Sequence, residues 1–172
     1  MSRIELPIGE GDEIQRVWQL RPELGAGAAA FNRAAEETSI ISPQESEAAR
    51  IRIGHINGCE PCSQARSSEM DALGLDESFY EDVDDPSKRG RYTTRELLAI
   101  EFAERFAAGK SAFDDAFWER LRANYDDAEV VDLAGSCAKW LGLGRINAVL
   151  DLHASCALRL EPSKTARRLA AV

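Results

Sequence analysis

Residues Glu47–Arg66 read E-A-A-R-I-R-I-G-H-I-N-G-C-E-P-C-S-Q-A-R, holding the thiol pair Cys59 and Cys62 and His55, one of two histidines in the chain. A Cys-x-x-Cys pair in a soluble acidic chain is a redox couple, half of a metal site, or two core thiols. The neighbouring residues bear on that choice. Asn57-Gly58 reads as a helix stop and a new start, and Asn57-x-x-Glu60 has the form of a capping box. Pro61 fits only a first helical turn, because its missing N–H would otherwise be needed by the ladder. Cys59 is therefore expected at a helix N-terminus, with Cys62 on the same face and Arg66 one turn further along. Unpaired N–H groups, the helix dipole and a guanidinium would lower the thiol pKa below the free value of roughly 8.5 and enrich the thiolate. This suits one thiol that attacks and one that resolves.

Glu47, an eleven-residue gap and Cys59-x-x-Cys62, preceded by Ile56-Asn57-Gly58, resemble the motif of the alkyl hydroperoxidase D / carboxymuconolactone decarboxylase superfamily. The resemblance covers about twenty residues and implies an all-α, single-domain helical bundle with the Cys-x-x-Cys at a helix N-terminus. It further implies that Cys62 attacks peroxide, that Cys59 closes a disulfide with it, and that Glu47 belongs to a proton relay. The family motif ends on a histidine where this chain has Arg66. Arginine stays protonated and cannot serve as a general base near neutral pH. His55, four residues before Cys59, is the alternative relay base; otherwise it is a surface or interface residue. Arg66 either stabilises the Cys62 thiolate or is an exposed helix arginine. The resemblance requires no metal or organic cofactor. Its partners are a peroxide substrate and a dithiol or disulfide-shuttle reductant, and it implies a homo-oligomer.

Composition frames these expectations. At 172 residues the chain is one domain by length, with 44% hydrophobic and 30% charged residues. A net charge of −9 disfavours nucleic acid as a partner. No apolar run reaches the roughly 18 residues of a membrane span, and the polar start does not read as a signal peptide. Four cysteines are too few for a secreted disulfide framework, so the cytoplasm is the expected address.

Read in order, residues 1–12 form an N-terminal arm, a short apolar piece surrounds Val17, and an alanine-rich helix runs from Glu23 to Thr38. Ser42-Pro43 opens a helix carrying Glu47. Unbroken, that helix would hold Glu47 roughly 18 Å from Cys59, so a relay needs the chain to fold back at Asn57-Gly58. Residues 43–56 and 59–74 would then pair as antiparallel helices. Residues 76–92 read as an acidic solvated loop with a short helical turn around Phe79 and Tyr80, or else as a lid placing Phe79, Tyr80 or Tyr92 over the thiols. Thr93-x-x-Glu96 and Asp126-x-x-Glu129 are capping boxes, and Val130, Leu133, Ala134, Cys137, Ala138 and Leu141 form a clear apolar stripe. Gly142 and Gly144 are expected to break that helix, a last one running from Arg145 to Leu158 before a basic tail over 162–172. Cys137 and Cys156 read as core thiols. His153-x-x-Cys156 with Cys59-x-x-Cys62 is a weak zinc pattern. Two further functional classes remain: a decarboxylase-like acid–base enzyme, and a non-enzymatic dithiol sensor or zinc-binding module.

Overall fold

Ser42 and Pro43 start the helix on which the rest of the chain is built. In the computed structural model, which describes residues 2–154 and 159–161, the Ser42 side chain accepts from the Glu45 N–H and Pro43 occupies the first turn. This helix, α3 (Pro43–Asn57), is buried along most of its length: Ala48, Ala49, Ile51 and Ile53 are all inaccessible to solvent. Each buried isoleucine contributes about 1.5–3 kcal/mol by leaving water. A helix covered on every side shows no single apolar stripe, and here even Glu45, Glu47 and Arg50 are buried.

Before it come α1 (Glu13–Arg16), a 3₁₀ turn and α2 (Pro22–Glu37). The arm is tied down by the Arg3 N–H, which donates to Leu150 O, and Asp12 caps α1. Helix α2 has no buried residue and leaves Leu24 and Phe31 exposed. After α3 come α4 (Glu60–Gln64), β1 (Arg66–Ser67), α5 (Glu77–Glu81), α6 (Thr94–Ala108), α7 (Asp115–Arg122), α8 (Asp127–Val149) and β2 (Arg159–Leu160). The expected capping boxes at Thr93 and Asp126 are both formed. Helices α6 and α8 pack on α3. Ile53, Leu98, Phe102, Phe117, Leu121, Leu133 and Cys137 share the main core, and burial pushes the Cys137 thiol pKa up. The all-α reading holds among the described residues; β1 and β2 are a two-residue parallel pair.

Four expectations are corrected. The helical turn expected around Phe79 and Tyr80 is formed as α5, but residues 76–92 are neither a solvated loop nor a cover for the thiols. They form helical turns whose Phe79, Tyr80, Val83 and Tyr92 make a second core with Ala48, Ile51, Leu75 and Ile100. The apolar residues there are spaced too irregularly to show a helical stripe, yet each finds a pocket beside α3.

The helix expected over 59–74 stops at Gln64. In a helix the carbonyls of Cys62 and Ala65 would accept from N–H groups four residues on. Here both accept from the Arg50 guanidinium instead, at 2.7 and 3.0 Å. Third, α8 runs unbroken through Gly142 and Gly144 and ends at Val149, so no separate helix begins at Arg145. Fourth, Asn57 does not cap α4. It is the last residue of α3, and its side-chain amide donates to the carbonyls of Trp140 and Leu141. Cys156 and the tail over 162–172 lie outside the described residues. Among the described residues no helix is long and apolar enough to cross a membrane.

Candidate active site

Gly58 makes the turn that assembles the site. It ends α3 in the left-handed conformation (φ 60°), which glycine adopts without steric cost, and the chain folds back as the relay required. Cys59 then caps α4 and Cys62 lies within it, the two joined as a disulfide with Cα atoms 5.2 Å apart. Cys59 is completely buried, whereas Cys62 lines a cleft of about 130 Å³. With α4 only five residues long, the dipole effect expected on the thiols is that of a single turn.

The returning turn lies directly against α3 and α8. A Cβ built on Gly54 would stand 3.3 Å from the Cys62 carbonyl carbon; on Gly144 it would stand 2.9 Å from Asn57 Nδ2 and 3.3 Å from Cys62 Sγ. Gly144 is therefore a place where α8 must come close, which outweighs the roughly 1 kcal/mol a helical glycine costs. Gly142, two residues earlier, has nothing within 4 Å of such a Cβ. Gly142→Ala is expected to stabilise by about 0.5–1 kcal/mol, and Gly144→Ala to destabilise by about 1–3 kcal/mol through overpacking. Urea unfolding of the two variants checks this; equal effects would mean that the close approach does not exist in solution.

Glu47 is held firmly. Its carboxylate accepts from Arg50 Nε at 3.0 Å and Nη2 at 2.9 Å, and from the Tyr80 hydroxyl at 3.0 Å. Burial, reinforced by the Glu47 charge, pushes the Tyr80 pKa up to about 12. Arg50 thus joins Glu47 to the motif turn, since the same guanidinium holds the Cys62 and Ala65 carbonyls.

The other two expected site residues lie elsewhere in the network. Arg66 is on β1, not one turn along a helix from Cys62. Its guanidinium pairs with Glu77 at 2.8 Å, donates to the Ser63 and Ala65 carbonyls, and stacks over the Tyr80 ring at 4.4 Å. That hydrogen bond holds the Glu77 carboxyl below its ordinary range. His55 pairs through Nδ1 with Asp84 at 2.8 Å, on the side of the 82–84 turn. His153 places Nδ1 3.5 Å from Glu60 Oε2, and among the described residues no group of three His, Cys, Asp or Glu could hold a metal ion.

Sequence reasoning missed Arg50, Lys139 and Glu36, and offered Tyr80 only as a lid over the thiols rather than as a partner of Glu47. Arg50 was open to discovery, because a carboxylate and a guanidinium three residues apart share a helix face. Lys139 was not: it lies on the polar side of the α8 stripe, and it is hidden by residues that α2, α3 and β2 bring around it. Its side chain is 2% exposed and its Nζ lies 3.0 Å from Glu36 Oε1. Burial lowers its pKa from the ordinary value, with Glu36 opposing the shift. A second cleft, lined by Glu47, shares Glu36, Arg50, Lys139, Trp140 and Leu160 with the cleft at Cys62. Leu160 reaches both because β2 pairs in parallel with β1, Ser67 opposite Leu160.

No protein-family model and no curated protein matches this sequence. Solved structures do match. A protein of unknown function from Agrobacterium tumefaciens, proposed as an AhpD antioxidant-defence protein, superposes with a TM-score of 0.74 at 20% identity, over 91% of this chain and 99% of its own. The alkylhydroperoxidase AhpD core of an uncharacterized peroxidase-related protein from Ralstonia eutropha gives 0.71 at 16% identity, over 84% and 77%. An uncharacterized peroxidase-related protein from Silicibacter sp. gives 0.68 at 18% identity, over 88% and 91%. Similarity over most of both chains gives this chain the fold of these AhpD-like and peroxidase-related structures.

Proposed function

We propose that the protein reduces hydroperoxides with Cys62 as the attacking thiol and Cys59 as the resolving one. The observation that carries this reading is the asymmetry of the pair: the two sulfurs are within bonding reach, Cys59 is sealed in the core, and Cys62 lines a cleft. In the first step the Cys62 thiolate forms a bond to the distal peroxide oxygen and the O–O bond breaks. The alkoxide leaves, takes up a proton and departs as an alcohol, with Cys62 left as a sulfenic acid. The Cys59 thiolate then attacks the Cys62 sulfur, expelling hydroxide, which leaves as water, and forming the disulfide. A dithiol reductant restores both thiols by exchange. The cleft that admits the peroxide is walled largely by apolar groups, including Ala65, Trp140, Leu143 and Leu160, which favours organic hydroperoxides. The names borne by the structural relatives, which include AhpD and peroxidase-related, support the same reading.

The test is stopped-flow oxidation of the reduced protein by cumene hydroperoxide, with free thiols counted before and after. Loss of two thiols, far faster than for a free thiol, is the expected result. Oxidation no faster than that of a free thiol would remove peroxide as the substrate.

A further inference from the structure

The reaction needs a proton for the departing alkoxide, and the motif position at which the family has its relay histidine holds Arg66, which is turned to Glu77, Ser63 and Ala65. Other groups are also committed. His55 is paired with Asp84. Glu47 accepts from Arg50 and Tyr80, which join it to the Cys62 and Ala65 carbonyls and to the Ser67 N–H. The Tyr80 hydroxyl donates to Glu47 and accepts from the Ser67 N–H.

Among the described residues lining the cleft at Cys62, the charged groups are Arg50, Glu36 and Lys139. Of these Lys139 combines burial with a transferable proton: its side chain is 2% exposed, while its partner Glu36 is 41% exposed and meets solvent. The groups that face Lys139 are Glu36 from α2, Glu47 and Arg50 from α3, and Glu161 beside β2. The Glu47 and Arg50 charges largely cancel in their own pair, so Lys139 responds chiefly to burial and to Glu36.

We propose, on the peroxidase reading above, that Lys139, which lines the same cleft as Cys62, is the proton donor of this site, and that Glu36 returns the proton from solvent. When the Cys62 thiolate takes the distal oxygen, the O–O bond breaks and the leaving alkoxide receives the Lys139 ammonium proton. The products are the alcohol, the Cys62 sulfenic acid and a neutral amine, which Glu36 reprotonates from water. Burial favours the transfer, because it already disfavours the charged ammonium.

The role is read from how rate depends on the leaving group. Alkyl hydroperoxides expel a basic alkoxide that needs a proton, whereas a peracid expels a carboxylate that needs none. Reduced wild type and Lys139→Met are oxidised in parallel by cumene hydroperoxide and by peracetic acid. The methionine variant keeps an unbranched side chain one atom shorter and strands no buried charge, since Glu36 is half-exposed. It should lose at least ~100-fold in rate with cumene hydroperoxide, in the range of general acid catalysis, and keep its rate with peracetic acid. Lys139→Gln, which keeps a hydrogen-bond donor for Glu36, should show the same selective loss. A variant as fast as wild type with both oxidants, or slowed equally with both, overturns the assignment and leaves the peroxidase reading intact. Wild type no faster than a free thiol with either oxidant overturns that reading itself, and the assignment with it.

Discussion

Replacing Cys62 with serine is expected to reduce peroxide consumption to background, a loss of at least three orders of magnitude, because a hydroxyl at neutral pH supplies no thiolate. Cys59→Ser should behave differently. With Cys62 intact, the first turnover proceeds at the wild-type rate and halts at a sulfenic acid, detectable by dimedone labelling and mass spectrometry. The structural reason is access: Cys62 borders the cleft, and Cys59 is buried beneath it and reaches only its partner. Rapid single-turnover oxidation of Cys62→Ser, with the sulfenic acid on Cys59, would reverse the roles. Serine is close in size to cysteine, so reduced Cys62→Ser at the cleft should unfold much as reduced wild type does, whereas reduced Cys59→Ser buries a hydroxyl in the core and should be less stable by about 1–3 kcal/mol.

The largest expected effect on stability belongs to Arg50→Met. Arg50 is 5% exposed at its side chain, and Glu47 is 11% exposed. Removing the guanidinium leaves a buried carboxylate with Tyr80 as its remaining described donor, and it takes a donor from the carbonyls of Cys62 and Ala65. Breaking one side of a buried ion pair costs about 3–5 kcal/mol, which for a chain of this size corresponds to a fall in Tm of roughly 6–20 °C. Removing both partners in Glu47→Gln/Arg50→Met should recover part of this loss, since the uncompensated charge is gone. Differential scanning calorimetry on the reduced proteins measures both. A loss below about 1 kcal/mol in the single variant would show that water reaches the pair, and that the motif turn of the reduced protein is held by Gly58 and its packing rather than by Arg50.

The two effects are linked through one short segment. Arg50 diverts the Cys62 and Ala65 carbonyls from helical bonding, so α4 stops after Gln64 and the chain turns into β1. That turn carries Leu160 to the cleft through β2, and it brings Tyr80 to Glu47 through the Ser67 N–H. The buried pair thus shapes the peroxide cleft as well as stabilising the fold.

What the sequence by itself determined was local. Ser42-Pro43, Thr93-x-x-Glu96 and Asp126-x-x-Glu129 start helices through contacts within four residues, and all three are formed. Gly58 permits a left-handed turn, and with it the fold-back that carries Cys62 against Gly54. The tertiary structure decided whatever depended on distant partners. Arg66 left its expected helix because Arg50, sixteen residues earlier, holds two carbonyls that the helix would have used. Residues 76–92 became core rather than loop because α3 offers a surface for Phe79, Tyr80 and Tyr92. Gly144 stayed helical because Cys62 needs the room. Lys139 became a site residue only when α2, α3 and β2 packed around the polar side of α8. Hydrogen bonds between near neighbours are written in residue spacing. Burial is a property of what packs on top, and no spacing along one helix encodes it.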